Sequence, residues 1–360
     1  MQDLPPKKPH RTPGRAAGYD PAVRFDRFQN EAIDDGWGRA DELPVLRTEV
    51  RDERARTVIT KNSSPDLSFD RSINPYRGCE HGCIYCFARP SHAFLGMSPG
   101  LDFETRLIAR PNAGAQLGRE LSKPRYVPKI IAIGTNTDAY QPVEKKREIM
   151  RDVLQVLSDF NHPVGIVTKG TLIARDIDLL APMAARGLVR IGVSITTLDP
   201  KIARLMEPRV PTPQARLKLV KTLTDAGIPV RIMVSPVVPA LTDHELEAIL
   251  LAGRDAGAVA ASSIVLRLPR EVAPLFRDWL ETHFSDRAAR IMGRVRELHG
   301  GRDYDPEFGK RMVGQGVWAE LLQQRFRKAA RKLGLDRSLP LLRTDLFCKP
   351  PQCGDQLNLF

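Results

Sequence analysis

Between residues 65 and 300, short apolar runs of β type alternate with helical patterns, and this alternation limits the possible folds more than any other feature. Strands that alternate with helices in this way form parallel sheets. About six such units exceed a simple nucleotide-binding half and predict a full or partial barrel, with active-site residues at the carboxyl ends of the strands. The apolar runs are KIIAIGT (129–135), PVGIVTK (163–169), VRIGVSI (189–195), PVRIMVSP (229–236) and SSIVLRLP (262–269). The helical patterns cover 144–160, 174–187, 212–227 and 243–257.

Both ends of the chain differ from this central region. Residues 1–60 begin with a Pro-rich basic stretch and show little apolar periodicity, which predicts a partly disordered extension that clasps the core. It ends in one strand candidate, TVIT (57–60). Residues 301–360 contain a loop, a basic amphipathic helix over 321–333 and an extended tail. The central part, 61–300, is the predicted core domain.

The composition indicates the cellular compartment of the protein. Hydrophobic residues make up 42% of the 360 residues, and no apolar run approaches the roughly 20 residues of a membrane span. The N-terminus lacks the apolar stretch of a signal peptide. We therefore expect a cytoplasmic protein with no membrane partner, whose thiols stay reduced. The net charge of +12 fits a nucleic-acid partner and, equally, a generally basic surface.

Three of the five cysteines lie within eight residues, CEHGCIYC (79–86), at the spacing C-x3-C-x2-C. In a reducing compartment such a cluster indicates metal binding or catalysis. A closed zinc site needs four protein ligands, and His81 lies between two of the cysteines, too close to span the same ion easily. A cysteine nucleophile would need only one thiol. The third interpretation is a four-iron, four-sulfur cluster held by Cys79, Cys83 and Cys86, with its fourth iron open to an exogenous ligand.

The pattern C-x3-C-x-aromatic-C, with Tyr85 as the aromatic residue, resembles the signature of the radical S-adenosylmethionine (SAM) enzymes. The resemblance implies an α/β fold, a partial (β/α)6 barrel whose cysteine loop follows the first strand, here SFDRSINPYRG (68–78). It implies a [4Fe–4S] cluster and SAM as cofactors, and a reducing partner such as a flavodoxin or ferredoxin. In this superfamily the reduced cluster cleaves SAM, and a 5′-deoxyadenosyl radical abstracts hydrogen from the substrate. The nearby Arg77 and Arg89 would favour the thiolate form of the ligands.

Several separated motifs narrow the resemblance to the branch related to spore photoproduct lyase, which repairs a thymine dimer in DNA. That lyase carries an additional cysteine in its second-strand loop, whereas GTNTDAYQP here has none. The motifs are NPYRGCEHGCIYCFARPSH (74–92), LGMSPGLDFETRL (95–107), GTNTDAYQPVEKK (134–146), VTKG (167–170), SITTLDPKIARLMEPRVPTPQARL (194–217) and AGIPVRIMVSPVVPALTD (226–243).

The resemblance also assigns cofactor contacts. Tyr85 would lie near the adenine, or would pack beside the cluster, and the two roles are compatible. The loop after the second major strand would approach the methionine amino group, because its side-chain oxygens suit an ammonium partner. Alternatively, Asn136 or Asp138 caps the helix that begins near Val143. The candidates in this loop are Thr135, Asn136, Thr137 and Asp138.

Later strands supply the remaining candidates. Lys169 ends an apolar strand and is costly to bury without a partner, so we expect it to face the cofactor carboxylate or ribose. Ser194 is a candidate ribose contact, and Arg267 would reach the cofactor or a substrate phosphate. Glu207 and Arg209 lie in a loop that resembles a recurrent loop of this branch, where a mutual ion pair is the alternative to a functional role.

The last five residues, Gln356 to Phe360 (QLNLF), resemble the peptide by which bacterial repair and replication proteins bind the DNA sliding clamp. The alternative is that this apolar tail docks on its own domain. Three functions stay open from the sequence: a radical SAM enzyme that repairs or modifies nucleic acid, one that acts on a protein or small metabolite, and a non-enzymatic iron–sulfur protein that binds nucleic acid.

Overall fold

A computed structural model of the protein describes residues 13–25 and 46–351. Within them ten strands and eleven α-helices follow one another in the predicted alternation. The strands are β1 (Glu49–Asp52), β2 (Ile59–Lys61), β3 (Arg71–Ile73), β4 (Tyr76–Arg77), β5 (Arg106–Ala109), β6 (Ile131–Ile133), β7 (Val164–Thr168), β8 (Val189–Ser194), β9 (Val230–Val237) and β10 (Ala260–Val265). The helices are α1 (Leu101–Thr105), α2 (Ala113–Leu121), α3 (Glu144–Arg147), α4 (Ile149–Asp159), α5 (Ile177–Ala185), α6 (Pro200–Met206), α7 (Pro213–Asp225), α8 (Leu246–Asp255), α9 (Val272–His283), α10 (Ala288–Leu298) and α11 (Gly316–Lys332).

The main sheet has seven strands in the order β10-β9-β8-β7-β6-β3-β2. Six of them, β3 and β6 to β10, are parallel and lie in chain order, while β2 pairs antiparallel with β3 at the edge. A parallel sheet wound in one direction brings the carboxyl ends of its strands to one face, where barrel enzymes keep their active sites. Among the described residues β2 and β10 do not pair with each other, so the barrel is partial. The fold predicted from the sequence is confirmed.

The two faces of these strands differ in chemistry. The outward residues are branched and apolar, and they pack against the helices in one large buried core. Ile232 of β9, for example, faces Gly253 of α8 so closely that a Cβ at Gly253 would lie 2.8 Å from its side chain. Because neighbours along a strand point to opposite faces, Arg231 and Met233 point inward. The inner face therefore combines a charged residue and glycines with apolar residues such as Met233 and Val167.

The helix predicted over 144–160 is two helices. Glu148 adopts a left-handed conformation (φ 53°) and separates α3 from α4. The reason lies in α3, where Glu144 is fully buried and accepts hydrogen bonds from the Met150 backbone (3.1 Å) and Arg175 (2.8 Å). The chain turns at Glu148 so that the Met150 amide reaches the Glu144 carboxylate, and periodicity alone does not reveal this contact.

The described part of the N-terminal extension packs on the core. β1 pairs in parallel with β5, and β4 completes a separate three-stranded sheet beside the cysteine loop. Upstream, the backbone amides of Ala16 and Ala17 donate to Glu104 at 3.1 and 3.0 Å, and Arg15 donates to the Glu104 carbonyl at 2.8 Å. The strand Glu49–Asp52 is short and has a single apolar residue, Val50, so no periodic pattern predicts it.

The C-terminal segment returns across the amino ends of the barrel strands. After α11, the Leu335 carbonyl accepts from the Ala261 amide at 2.9 Å, and the Cys348 amide donates to the Phe160 carbonyl at 3.1 Å. Phe347 packs against Tyr126 and His162 at the turn before β7. Within the described residues, no helix is both long and apolar enough to cross a bilayer.

Candidate active site at the mouth of the barrel

The cysteine loop begins two residues after β4 and is held from several sides. The Cys79 amide donates to the Phe103 carbonyl at 2.9 Å. The fully buried Gln141 accepts from the Glu80 amide at 2.8 Å and donates to the Gly78 carbonyl at 3.3 Å. Gly78 takes a left-handed conformation (φ 76°), and a Cβ there would lie 3.0 Å from the Phe103 oxygen. These contacts fix the loop at the carboxyl end of β3, as predicted from the sequence.

The turn inside the loop rests on a buried ion pair. Arg89 and Glu104 are both fully buried and lie 2.5 Å apart. Arg89 also donates to the carbonyls of Cys83 (3.1 Å) and Gly82 (3.0 Å). Gly82 has φ 64°, and a Cβ there would lie 2.6 Å from the Glu104 carboxylate. Arg89 therefore orders the backbone of the loop, and its charge is largely matched by Glu104 and not by a thiolate.

The three thiols lie in a desolvated environment. Burial raises the pKa of Cys83 to about 12, places that of Cys79 well above its usual value and raises that of Cys86. Arg89 acts to lower the pKa of Cys86, as expected from the sequence, but burial outweighs this effect in the protein alone, and the expectation for Arg77 stays a prediction. Iron bound to the sulfurs would supply the positive charge that stabilises them as thiolates.

The arrangement fits an iron–sulfur cluster better than a single ion. Cys79 and Cys86 pack with Ala88 and Phe103 in a small apolar cluster, which gives the sulfurs a low-polarity surrounding. Among the described residues, no three side chains of His, Cys, Asp or Glu are close enough to share one metal ion. The spacing of the three cysteines and this apolar surrounding agree with the iron–sulfur interpretation of the sequence.

Asp138 joins the cysteine loop to the second and third barrel strands. Its carboxylate accepts from the Thr168 hydroxyl (2.6 Å) and from the amides of Lys169 (2.7 Å) and Tyr140 (2.9 Å). His81 Nδ1 lies 3.3 Å away. Burial acts to raise the pKa of Asp138, but His81 and these donors outweigh burial and lower it. The carboxylate is therefore ionised and occupied by the protein, and it does not cap α3.

The rest of this loop lies at the carboxyl end of β6. Thr137 is buried and its hydroxyl donates to the Tyr76 carbonyl at 3.0 Å, while the Asn136 amide donates to the Asn74 side chain at 3.2 Å. Thr135 and Asn136 are only partly buried, so their side chains are the more accessible of the predicted amino-group contacts. Gly134 precedes them with φ 83°, and a Cβ there would lie 1.9 Å from the Val167 oxygen.

Tyr85 and Lys169 face each other at the mouth of the barrel, which is the opening at the carboxyl ends of its strands. The Lys169 ammonium lies 5.7 Å from the Tyr85 ring centroid. The Tyr85 hydroxyl hydrogen-bonds to Glu207 and lies 3.2 Å from the Thr196 hydroxyl. Glu207 pairs with Arg216 at 2.7 Å, and both are almost fully buried. Tyr85 is thus fixed beside the cysteine loop, with one face near a cation.

The pairing of Glu207 with Arg209 that the sequence allowed is wrong. Arg209 instead pairs with Glu80 of the cysteine loop at 3.1 Å. Burial acts to raise the pKa of Glu207, but Arg216, Lys169 and the Tyr85 hydroxyl outweigh it and lower the pKa. The loop after α6 therefore supports the site through Tyr85 and Glu80.

The last two predicted cofactor contacts are Ser194, the final residue of β8, and Arg267, which follows β10. Ser194 is buried, and its hydroxyl donates to the Ser235 carbonyl at 2.9 Å. Arg267 lies two residues beyond β10, with its guanidinium 4.9 Å from the Phe87 ring centroid and 6.0 Å from that of Tyr304. Phe87 follows the ligand Cys86 and is 45% exposed. The Arg267 and Phe87 side chains thus form a cationic and aromatic surface beside the cysteine loop.

The sequence did not single out Gln141, Glu104 or Arg216, although all three support the site. Gln141 directly follows the predicted GTNTDAY loop, and this position in the sequence is the one feature that could have indicated its role. Glu104 and Arg216 are charged residues within amphipathic stretches, where a solvent-facing position is the ordinary expectation. Their burial follows from long-range ion pairs that no local pattern encodes.

A sequence model of the Radical SAM superfamily matches residues 73–252, half of the chain. The chain belongs to the radical SAM superfamily. The cofactors of this family are a [4Fe–4S] cluster and SAM, in agreement with those predicted from the sequence. The matched range contains the cysteine loop, the GTNTDAY loop, Lys169 and Ser194.

Similar sequences occur in bacteria and archaea. An uncharacterized protein of Mycobacterium tuberculosis strain H37Rv is 37% identical over 253 residues, which is 70% of this chain and 73% of that protein. An uncharacterized protein of Methanocaldococcus jannaschii is 26% identical over 199 residues, which is 55% of this chain and 71% of that protein.

Solved structures of spore photoproduct lyase share the fold. The complex with a dinucleoside spore photoproduct has a TM-score of 0.56, 16% identity, and 79% coverage of each chain. A double mutant with bound AdoMet and the same lesion has a TM-score of 0.55 over 79% of this chain and 78% of that one. This likeness in fold agrees with the branch indicated by the sequence motifs.

Proposed function

We propose that this radical SAM enzyme binds a [4Fe–4S] cluster through Cys79, Cys83 and Cys86, cleaves SAM reductively, and acts on a nucleic-acid substrate at the mouth of the barrel. The observation that carries the proposal is the position of the exposed Phe87 and the stacked Arg267 directly beside the cysteine loop. The bound cofactors would supply the electron transfer and the radical, and the protein would supply binding, orientation and exclusion of water.

Different residues at the mouth of the barrel would bind the cluster and the two ends of the SAM methionine group. The three thiols hold the cluster in an apolar surrounding, and Lys169 offers a positive charge near Tyr85 toward the anionic end of SAM. Thr135 and Asn136 offer accessible oxygens toward its amino group. Asp138 connects the loop after β6 to the end of β7 through its hydrogen bonds to Thr168 and Lys169.

A nucleic acid fits the surface next to this site. Aromatic rings that stack on bases, combined with arginines that contact phosphates, are the usual means of binding single-stranded or flipped-out nucleotides. Phe87 and Tyr304 provide the rings, and Arg267 lies between them. Spore photoproduct lyase acts on a DNA lesion with the same fold. Since GTNTDAYQP lacks a cysteine, we propose a different reaction on nucleic acid, a repair or modification step.

The test is binding of a fluorescent single-stranded DNA by anisotropy, at several salt concentrations. Phe87→Ala and Arg267→Gln should each weaken binding by about 1–3 kcal/mol, the range found for stacking and phosphate contacts. Arg327→Gln is the control, because Arg327 is exposed on α11, whose C-terminal end lies toward the opposite end of the barrel. Equal affinity for the wild type, Phe87→Ala and Arg267→Gln would reject the nucleic-acid substrate and favour a protein or metabolite target.

Two partners are proposed from the sequence. The peptide Gln356 to Phe360 lies outside the described residues, and its extended apolar pattern supports binding to a DNA sliding clamp. Deletion of these five residues should abolish capture by the immobilised clamp, and unchanged capture would reject this partner. A reduced flavodoxin or ferredoxin is the proposed electron donor, and a cytoplasmic location follows from both partners.

A further inference from the structure

The inner face of the barrel carries glycines and polar residues beside Val167 and Met233, whereas barrel interiors are usually filled throughout by bulky apolar side chains. In β7 and β8, Gly165 and Gly192 point to this face, and in β9 and β10 Met233 and Ser262 lie opposite each other on it. Two half-buried arginines, Arg190 and Arg231, share the face near the beginnings of β8 and β9. This region is separate from the mouth and takes no part in the proposed function.

Arg190 and Arg231 are half-buried and have no ion-pair or hydrogen-bond partner among the described residues, although Arg231 Nε is fully buried. Burial, and for Arg231 also the charge of Arg190, lowers the pKa of each guanidinium. Two half-buried cations close together without a counter-charge repel each other, and an anion bound between them would remove this repulsion.

The surroundings leave room for such an anion and offer it further donors. The Arg190 side chain lies over the Gly165 position, where a Cβ would be in van der Waals contact with Arg190 Nε at 3.8 Å. On the neighbouring strand, the Ser262 hydroxyl is buried without a hydrogen-bond partner. It lies one inner-face position beyond Ala260, which pairs with Arg231.

The electrostatic field at this end of the barrel has the same sign. Leu335 contacts Ala261 at the beginning of β10, so the C-terminal end of α11 lies at the same end of the barrel as the two arginines. That end of α11 exposes four cations without an ion pair among the described residues. They are Arg327, Lys328, Arg331 and Lys332. Such a field attracts small anions toward the opening of the barrel.

We propose that Arg190 and Arg231 form a binding site for a phosphate-class oxyanion on the inner face of the barrel. Paired guanidinium groups match the geometry of phosphate oxygens, and the Ser262 hydroxyl would add a neutral donor. Both arginines lie four residues before the mouth residues Ser194 and Ser235 of their strands, which places the anion roughly 13 Å below the mouth. The oxyanion is free phosphate or the phosphate group of a small nucleotide.

Equilibrium dialysis of the reconstituted full-length chain with radiolabelled inorganic phosphate, at constant ionic strength, tests the site. We expect saturable binding of one phosphate per chain, weakened at least tenfold in Arg190→Gln and in Arg231→Gln. Arg231→Lys should lie between, because lysine keeps the charge without the planar fork. Arg290→Gln, at an exposed position of α10, changes the net charge equally and should bind like the wild type. Competition by a dinucleotide would identify a nucleotide phosphate as the source, and its absence free phosphate.

A second measurement needs no variant and covers the case in which the glutamine variants fail to fold. Phenylglyoxal modifies accessible guanidinium groups, and mass spectrometry locates the products. Phosphate should protect Arg190 and Arg231 of the wild type and leave the exposed Arg290 unprotected. No saturable phosphate binding, folded glutamine variants that bind like the wild type, or equal modification of Arg190 and Arg231 with and without phosphate would each overturn the proposal.

Discussion

Glu207 shows how single residues stabilise the site without touching the cysteines. Its carboxylate contacts the Tyr85 hydroxyl, the Thr196 hydroxyl at 2.7 Å and the Arg216 guanidinium at 2.7 Å. All four side chains are buried, and Arg216 also donates to the Ser194 carbonyl at 2.8 Å. A buried charge network of this kind fixes the Tyr85 ring beside the cysteine loop, because each member lacks alternative partners.

Arg216→Met should therefore destabilise the protein strongly. The substitution keeps the length of the side chain but leaves Glu207 buried without its cation, which costs about 3–5 kcal/mol in the free energy of unfolding. Urea denaturation at pH 7 measures this difference. The matched control is Lys221→Met on the same helix, α7, where the exposed Lys221 pairs with Asp225 and its loss costs about 0.5 kcal/mol or less. Equal losses in the two variants would contradict the role of Arg216.

At the scale of elements, the cysteine loop is held by neighbours that come from distant parts of the chain. β4 and β5 lie on one side, α1 contributes Glu104, and the segment after β6 contributes Gln141. The loop itself has no helix or strand between Cys79 and Cys86. Its shape therefore depends on these side-chain contacts to its backbone, and the positions of the three sulfurs depend on its shape.

Gln141→Leu tests this dependence. Leucine fills a similar volume but leaves the Glu80 amide and the Gly78 carbonyl without partners, at a cost of about 1–3 kcal/mol for each unsatisfied group. We expect fewer irons per chain after anaerobic reconstitution, measured by a colorimetric iron assay and the visible cluster absorbance. Gln155→Leu on the exposed face of α4 is the control and should retain wild-type iron. A wild-type iron content in Gln141→Leu would show that the loop does not need this anchor.

Most strands and helices of the barrel could be predicted from the sequence, but few of the buried side-chain contacts that hold the site in place could be. Alternating periodicity located β6 to β10 and the intervening helices, because each strand has one continuous apolar face against the helices. It missed β1, in which Val50 is the one apolar residue among four, and the break at Glu148, which depends on the distant Arg175. Family motifs located Tyr85 and Lys169 at the mouth. Arg216 was not predicted, because a buried ion pair between separate elements leaves no local pattern.

At the scale of the whole molecule, three buried histidines connect separate regions. His162 bonds Tyr126 at 2.7 Å and packs against Phe347 of the returning C-terminal segment. His92 bonds the Arg106 carbonyl, and His299 bonds the Leu266 carbonyl. Burial lowers the pKa of His92 and His162 to about 4 each and also lowers that of His299. All three are neutral in the folded protein at pH 7.

Stability should therefore fall as the pH falls from about 6.5 toward 4. In this window the unfolded chain binds protons at its histidines, with a pKa near 6.5, while the folded chain does not. His162 alone contributes a loss of about 2 kcal/mol between pH 7 and pH 5. His162→Asn should reduce this loss in urea denaturation, and His244→Asn, at an exposed position, should leave it unchanged. An identical pH dependence in all three proteins would contradict the buried neutral state of His162.

The central claim is that the three-cysteine loop makes this chain a reductive SAM-cleaving enzyme. The most direct measurement is the release of 5′-deoxyadenosine, followed by liquid chromatography, after anaerobic reconstitution to about four irons per chain and addition of dithionite and SAM. We predict release by the wild type, together with loss of cluster absorbance and of release in Cys83→Ala, while Cys348→Ala, at an exposed cysteine outside the loop, behaves like the wild type. An intact cluster in the wild type without any 5′-deoxyadenosine would contradict the claim.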